Sequence, residues 1–233
     1  MKQFFLPHFE IVSSLLIPAR FYMFLKMEKE STEKMVPPQE EGASSDTSAQ
    51  KILDNLTDAK TFFRSVRERL YNVNEWKKYA GTFTGNFRLH DEGGNPVDRP
   101  IRLHDHFRID GPGPGSVTGE GYDWVQVEAL EEKETPHEDL ISFRVRPASN
   151  PTNDKNVTAH FFKEDATSTF IVRRKDNVVY AEVHGRNEIV NTEADNFIDK
   201  ARNVLAGAVA KTFFSKYQWR SLVDGLINTD EDL

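Results

Sequence analysis

Residues 169–183 read TFIVRRKDNVVYAEV, and this stretch decides the fold class. Residues 169–172 and 178–183 are rich in β-branched and aromatic side chains, and the polar triplet Lys175, Asp176 and Asn177 separates them. Two such runs around a short polar connection are typical of an antiparallel β-hairpin. The sequence therefore predicts a hairpin at the C-terminal side of a β-rich region.

The same alternation of apolar and polar residues extends upstream, between residues 82 and 191. Clusters of Gly, Pro, Asp and Asn divide it into segments, and none of the connections is long enough for a parallel crossover. We predict about seven antiparallel strands in one curved sheet that runs as a meander. Besides the two strands of the hairpin, the predicted strands cover residues 83–89, 101–109, 122–129, 141–145 and 157–162.

Helical periodicity precedes the strands. Thr57 and Asp58 offer N-cap oxygens, and apolar residues then recur every three or four positions up to Val73. Residues 74–79 predict a short second helix, which Gly81 ends.

Helical periodicity also follows the strands. Residues 192–227 predict one long C-terminal helix that begins at the N-cap residue Thr192. Together these elements predict an α+β fold in which one or two short helices precede a sheet that wraps a long helix. The apolar face of the long helix comprises Phe197, Ala201, Leu205, Ala208, Phe213, Tyr217, Leu222, Val223 and Leu226.

The N-terminal residues differ from everything that follows. Residues 1–26 are apolar and aromatic, but Glu10 and Arg20 interrupt them, so we expect no integral membrane span. We interpret this segment as translation upstream of a natural start at Met27, with a weak targeting segment as the alternative.

Residues 27–50 are rich in Glu, Lys, Ser and Pro, and this composition predicts a disordered linker. The single α+β domain is then expected at residues 51–228, followed by an acidic tail at 229–233. Because a disordered linker adds nothing to a core, deletion of residues 1–50 is expected to leave the stability of the domain unchanged.

Composition excludes several classes of function. The 233 residues carry a net charge of −7 and include no cysteine. The acidic balance argues against nucleic-acid binding, which requires clustered Lys and Arg. The lack of cysteine excludes disulfides and zinc–cysteine sites. We expect no cofactor and a cytoplasmic location, with export as the less favoured alternative; the oligomeric state stays open.

The order of these elements resembles that of the START-related, SRPBCC-type proteins, which have the helix-grip fold. The resemblance covers residues 52–228 and rests on the helix and turn at 76–81 and on the amphipathic helix at 192–227. That family begins with a strand before the first helix, where this chain has the predicted linker. The resemblance implies a cavity between sheet and long helix, used by family members for hydrophobic ligands and sometimes for catalysis. A lipocalin-like or nuclear-transport-factor-like cone is the alternative architecture.

Three histidines near the first strands are candidate metal ligands. His104 and His106 lie two apart on a predicted strand and would share one face, and His90 follows the preceding strand. Asp91 or Asp105 would supply a further ligand. Arginines on the same predicted face disfavour a divalent cation, so we expect no metal site.

Asp105 is the most informative polar residue. It has the parity of the apolar residues around it, so its carboxylate would face the apolar side of the sheet. A buried carboxylate must find a partner, or its pKa rises. Asp105 is therefore expected to act as an anchor or general base in a pocket or, as is commoner, to form a buried ion pair with Arg144, Arg146 or Arg173 or to lie in a bulge.

Glu182 and His184 share a predicted strand face and form a second candidate acid/base pair. An exposed sheet face is the commoner place for such residues. With His104 and Asp105 they are the candidate catalytic residues, and whether the protein is an enzyme stays open.

Three functions remain compatible with the sequence. The favoured one is a binding module with an internal hydrophobic pocket for an apolar or aromatic small molecule. The others are an enzyme on the same scaffold, such as a cyclase, hydrolase or isomerase, and a structural or partner-binding protein with a filled core. A void on the order of a few hundred Å³ would favour the first two. The expected ligand-binding residues are Phe87, Asp105, Phe107, Trp124, Phe143, Phe161 and Phe170.

Overall fold

The computed structural model describes residues 35–81, 84–111, 115–191 and 216–228. These residues all belong to one compact unit, Met35–Leu233. Within the described ranges, no helix combines the length and apolar character that crossing a membrane requires. The predicted N-terminal segment at 1–26 and the predicted acidic tail lie outside these residues.

Seven strands form one open antiparallel sheet, in the order β1-β7-β6-β5-β4-β3-β2. Strands β2 to β7 follow one another as a meander, and β1 pairs with β7 at the far edge. The predicted α+β class with a seven-stranded antiparallel sheet is confirmed, and the open edges exclude a closed lipocalin-like barrel. The strands are β1 (Ala43–Ile52), β2 (Asn86–His90), β3 (His106–Asp110), β4 (Asp123–Glu134), β5 (Glu138–Pro147), β6 (Thr167–Lys175) and β7 (Val178–Glu188).

Two helices, α1 (Leu56–Tyr71) and α2 (Trp76–Ala80), connect β1 to β2, with a 3₁₀ turn at Val73–Glu75 between them. The N-cap of α1 is Asn55, whose side chain accepts a hydrogen bond from the backbone N–H of Asp58; the predicted caps lie inside the helix. The end of α2 is as predicted, since Gly81 has a φ of 78°, a conformation that a side chain would strain.

A third helix, α3, covers residues 216–227. Trp219, Leu222, Val223 and Leu226 join the hydrophobic core, and their spacing of three and four residues defines one helical face. Tyr217 is 56% exposed, so its prediction as part of the apolar face is wrong. It lies about 200° around the helix from Trp219.

The close approach of α3 to α2 depends on Gly225. A Cβ added there would lie only 1.9 Å from the carbonyl oxygen of Tyr79, so any side chain would push the two helices apart. The upstream part of the predicted long helix, residues 192–215 with Phe197, lies outside the described residues.

The core occupies the face of the sheet that carries α1 and α3, here called the inner face. Trp76 is almost fully buried there, and its ring centroid lies 5.0 Å from that of Phe170, 5.1 Å from Phe87 and 5.9 Å from Phe107. The indole Nε1–H donates to the carbonyl of Leu70 at 3.0 Å. Because strand side chains alternate, the intervening residues point to the opposite, outer face.

The predicted disordered linker is wrong for residues 43–50, which form most of β1. This strand pairs with β7 from Ala43 opposite Glu188 to Ile52 opposite Val178. Its polar composition misled the prediction, because an edge strand is held through its backbone and needs few apolar side chains. The strand that the helix-grip fold places before its first helix is thus present.

Two other strand predictions are also wrong in part. Residues 157–162 form isolated bridges rather than a strand, so the count of seven is reached through β1 instead. Residues 101–105 form a turn in which His104 has a φ of 71°, and β3 begins only at His106. The parity assumed for Asp105 therefore does not apply.

Candidate functional site

A cavity of about 70 Å³ lies on the inner face, at one end of the sheet. Gly111 follows β3, Asp123 begins β4, Pro147 ends β5 and Thr167 begins β6, and all four line the cavity. These termini lie side by side because the strands are antiparallel. The volume accommodates roughly five water molecules, which is less than the few hundred Å³ expected.

The wall of the cavity is mostly apolar. Phe87, Phe107 and Phe170 come from the sheet, Phe161 and Phe162 from the loop before β6, and Trp219 from α3. The three sheet residues also contact Trp76. The cavity is therefore an unfilled part of the aromatic core between the sheet and α3.

The indole of Trp219 is held by rings on three sides. Its centroid lies 5.1 Å from Phe170, 6.0 Å from Phe87 and 6.5 Å from Trp76. Its Nε1–H is buried and has no hydrogen-bond partner among the described residues. An unpaired buried donor lowers stability by about 1–3 kcal/mol.

Polar lining residues include Asp123 at the start of β4, Thr167 at the start of β6 and Gln218 on α3. Asp123 is 5% exposed, and it shares the inner face with Val125 because Trp124 between them points outward. The Oε1 of Gln218 on α3 accepts the backbone N–H of Gly85 at 2.8 Å. The cavity thus combines an apolar wall with a polar margin.

His160 is the second titratable residue of the cavity lining. Its ring stacks on Phe161 with centroids 4.5 Å apart, and its Nδ1 accepts the backbone N–H of Phe162 at 2.9 Å. A nitrogen that accepts carries no proton, so this contact fixes the neutral tautomer with the proton on Nε2.

The structure brings together four of the seven predicted ligand-binding residues. Phe87, Phe107, Phe161 and Phe170 line the cavity. Phe143 lies behind this wall, stacked on Phe170 with centroids 4.9 Å apart. Trp124 lies on the outer face, where its ring centroid is 5.0 Å from that of His90.

Asp105, the last of the seven predicted ligand-binding residues, lies outside the cavity in the turn before β3. Both of its carboxylate oxygens accept hydrogen bonds from Arg99, at 2.7 and 2.8 Å, and one also accepts the backbone N–H of Arg102. This is the buried ion pair considered above, but its partner comes from the same loop rather than from a later strand. His104 beside it is exposed.

Glu182 and His184 do meet, on the outer face of β7. The Nε2 of His184 lies 3.0 Å from Glu182 and its Nδ1 lies 2.6 Å from Asp46 of β1. Burial alone would lower the pKa of His184, but the hydrogen bonds to both carboxylates outweigh it and raise this pKa above its ordinary value. Arg173 also bonds Glu182 at 2.6 Å. The group forms an ion-pair network away from the cavity.

The histidines considered as candidate metal ligands separate into two environments. His90 and His106 lie opposite each other in β2 and β3, and burial lowers the pKa of both. His104 lies in the turn, so the predicted shared face is wrong. No three His, Cys, Asp or Glu side chains within the described ranges are placed to hold a metal ion.

Sequence reasoning missed Asp123, His160, Gln218 and Trp219. A signal existed for Trp219, which has helical spacing to Leu222, Val223 and Leu226. Asp123 could also have been predicted, because it has the parity of Val125 on the predicted third strand. No sequence signal indicated His160, since the segment before β6 is irregular.

Comparison with known proteins gives no family for this chain. No family model matches it, and no curated protein does. Solved structures that resemble it include the hypothetical protein jhp0584 from Helicobacter pylori, with 15% identity over 78% of this chain and 86% of that chain and a TM-score of 0.40.

Another is major latex-like protein 151 from Panax ginseng, with 14% identity over 76% of this chain and 99% of that chain and a TM-score of 0.31. A third is the di-domain ARO/CYC BexL from the BE-7585A biosynthetic pathway, with 12% identity over 91% of this chain and 61% of that chain and a TM-score of 0.34. TM-scores this low assign neither a family nor a ligand to this chain.

Proposed function

We propose that the protein binds a small apolar or aromatic molecule in the cavity between the sheet and α3. The observation that supports this is the position of the void inside the aromatic cluster. Phe87, Phe170 and Trp219 each line it and also contact Trp76. Rings that pack closely on one side and leave space on the other provide a preformed apolar site.

The void is maintained at a cost in stability. The side chains that line it forgo packing contacts that they would make in a filled core. Ala166 is buried in the cavity lining, and a larger aliphatic side chain there would occupy the space. A void that persists where one substitution would fill it favours a binding role.

The volume limits the ligand to a small molecule. A cavity of about 150 Å³ accommodates benzene, and this one has about half that volume. A single six-membered ring therefore requires wall side chains to shift, whereas a noble-gas atom or a short aliphatic group requires less. Multi-ring ligands do not fit the site as it stands.

Catalysis in the same cavity is the second candidate, and one observation favours it. Among its described residues, the lining includes the carboxylate of Asp123 and the imidazole of His160, which are the residue types of general acid/base chemistry. A substrate must first enter the cavity, so binding is tested before reaction. The third candidate, a structural protein with a filled core, predicts no binding.

Binding of xenon, followed by NMR, and of toluene, followed by calorimetry, tests the proposal. Both are expected to bind the wild-type protein, and Ala166→Leu is expected to abolish binding by filling the void. Ala129→Leu is the matched control: Ala129 is half-buried on β4, outside the cavity lining and the core cluster, and this variant is expected to bind normally.

Native mass spectrometry of the protein as purified would report a natural ligand directly. If folded wild-type protein binds neither xenon nor toluene, the filled-core function is the correct one. If Ala166→Leu binds both as tightly as the wild type, the molecules occupy some other site and the proposal is overturned.

A further inference from the structure

We propose that Asp123 selects ligands that carry a hydrogen-bond donor, so that the preferred ligand is a single ring bearing a hydroxyl or amino group. This inference rests on the proposed binding function and adds the chemical class of the ligand. Among the described residues that line the cavity, Asp123 is the only acidic one.

The position of the carboxylate is set by a well-anchored backbone. Asp123 pairs with Ile109 of β3, and Ile109 also lines the cavity. The backbone N–H of the next residue, Trp124, donates to the carbonyl of Ala159 at 2.7 Å. The start of β4 is therefore tied to a neighbouring strand on one side and to the loop before β6 on the other, which fixes the point at which the Asp123 side chain leaves the backbone.

The chemistry of the group determines what it recognises. An ionised carboxylate only accepts hydrogen bonds, and its two oxygens offer about four lone-pair sites. It can therefore accept a bond from a ligand in addition to those that the protein supplies. A hydroxyl or amino group satisfies it, whereas a ligand carbonyl or carboxylate presents a second acceptor and is disfavoured.

Away from the polar margin that includes His160, Thr167 and Gln218, the wall restricts the remainder of the ligand. Phe107, Val125 and Phe170 are buried and apolar, so a second polar group placed against them would lose its hydration without compensation. Together with the limit of one ring, this predicts an amphipathic ligand with one polar end, of the phenol or aromatic-amine class.

Three probes of similar size separate this inference from the proposed function. Phenol carries a donor, anisole carries an oxygen without a donor, and toluene carries neither. Their dissociation constants are measured by calorimetry on the wild type and on Asp123→Asn and Asp123→Leu. The readout is the ratio of the toluene to the phenol dissociation constant, because both molecules depend equally on the cavity.

We expect Asp123→Leu to lower this ratio by at least about tenfold, the effect of losing a charge-assisted hydrogen bond. Asp123→Asn keeps a neutral acceptor and is expected to lower it by less. Anisole should follow toluene in every variant. The matched control is Asp110→Leu, which removes an exposed carboxylate at the end of β3 and should leave the ratio unchanged.

The outcomes are distinct. If toluene and phenol both bind but Asp123→Leu leaves their ratio unchanged, the role of Asp123 is wrong and the binding cavity stands. If neither probe binds the wild type, the inference fails, and xenon binding then decides whether the binding cavity stands or fails with it. Toluene binding serves as the folding control for each variant; if the leucine variant does not fold, the ratio in Asp123→Asn decides, and an unchanged ratio there overturns the inference.

Discussion

The two faces of the sheet bury their side chains by different means. On the inner face, Trp76 and its aromatic neighbours pack through ring contacts at 5.0–5.9 Å, with few charges among them. On the outer face, ion pairs hold the side chains instead. Glu182 bonds Arg173 and His184, and Glu128 bonds Arg144 and Arg146.

This difference shows where a site is to be sought in a fold of this kind. The outer face holds the charged and imidazole groups that resemble catalytic machinery, yet their hydrogen bonds are directed at one another. The inner face holds fewer polar groups, but it contains an unfilled volume. Our proposal therefore places the candidate site at the unfilled volume of the inner face rather than among the charges of the outer face.

A fully buried ion pair departs from this division between the faces, and its removal should have the largest effect. Arg174 and Asp139 lie on the inner face, and the arginine is fully buried, with its Nε 2.6 Å from Asp139 and its other nitrogens on backbone carbonyls of two turns. Arg174→Met leaves Asp139 buried without its cation, which should cost about 3–5 kcal/mol in the free energy of unfolding. A urea titration measures this, and a loss below about 1 kcal/mol would mean that water reaches the pair.

Two tryptophans of the inner face differ in the hydrogen bonding of their indole N–H groups. Trp76 donates its indole N–H to Leu70, whereas the N–H of Trp219 beside the cavity has no partner among the described residues. Trp76→Phe leaves a buried carbonyl unpaired, so we expect it to destabilise the protein by about 1–3 kcal/mol more than Trp219→Phe does. Urea titrations of both variants provide the test, and equal losses would contradict the idea that the environment of Trp219 is incomplete.

The histidines of the outer face should give opposite and smaller pH dependences. The pKa of His184 is raised by Glu182 and Asp46, so its contribution to stability is present below its unfolded pKa and is lost as the pH rises through the folded value. The pKa of His106 is lowered by burial, so its contribution is present above the unfolded pKa and is lost as the pH falls.

Two variants separate these contributions between about pH 5 and 8. His184→Gln should be most destabilised, relative to the wild type, at the acidic end, and the deficit should shrink as the pH rises. His106→Gln should gain on the wild type as the pH falls. Thermal unfolding across this range measures both, and parallel curves would show that neither imidazole changes its protonation on folding.

The order of elements could be predicted because it depends on periodicity. The hairpin of β6 and β7 alternates regularly around Asp176 and Asn177, and α1 repeats its apolar residues every three to four positions, so each pattern has one interpretation. The strand β1 has no such pattern, because residues 43–50 are held by the backbone of β7 rather than by apolar side chains.

The candidate site could be predicted only where strands are regular. Phe87, Phe107 and Phe170 alternate with outward-facing residues, so parity places them correctly. Asp105 does not obey that parity, since the preceding residue turns the chain with a positive φ. His160 lies in an irregular loop, where its place against the cavity depends on contacts far apart in the sequence.

The polar strand β1 has a consequence for how this protein behaves outside its folded state. It covers the edge of β7, whose residues Val179, Ala181 and Val183 are apolar and whose backbone would otherwise be open to another chain. A chain that lacks residues 1–50 would lose nearly all of β1 and would leave the edge of β7 unpaired. We therefore expect this deletion to have an effect, contrary to the expectation from the sequence. The exposed edge would then act as a template for aggregation.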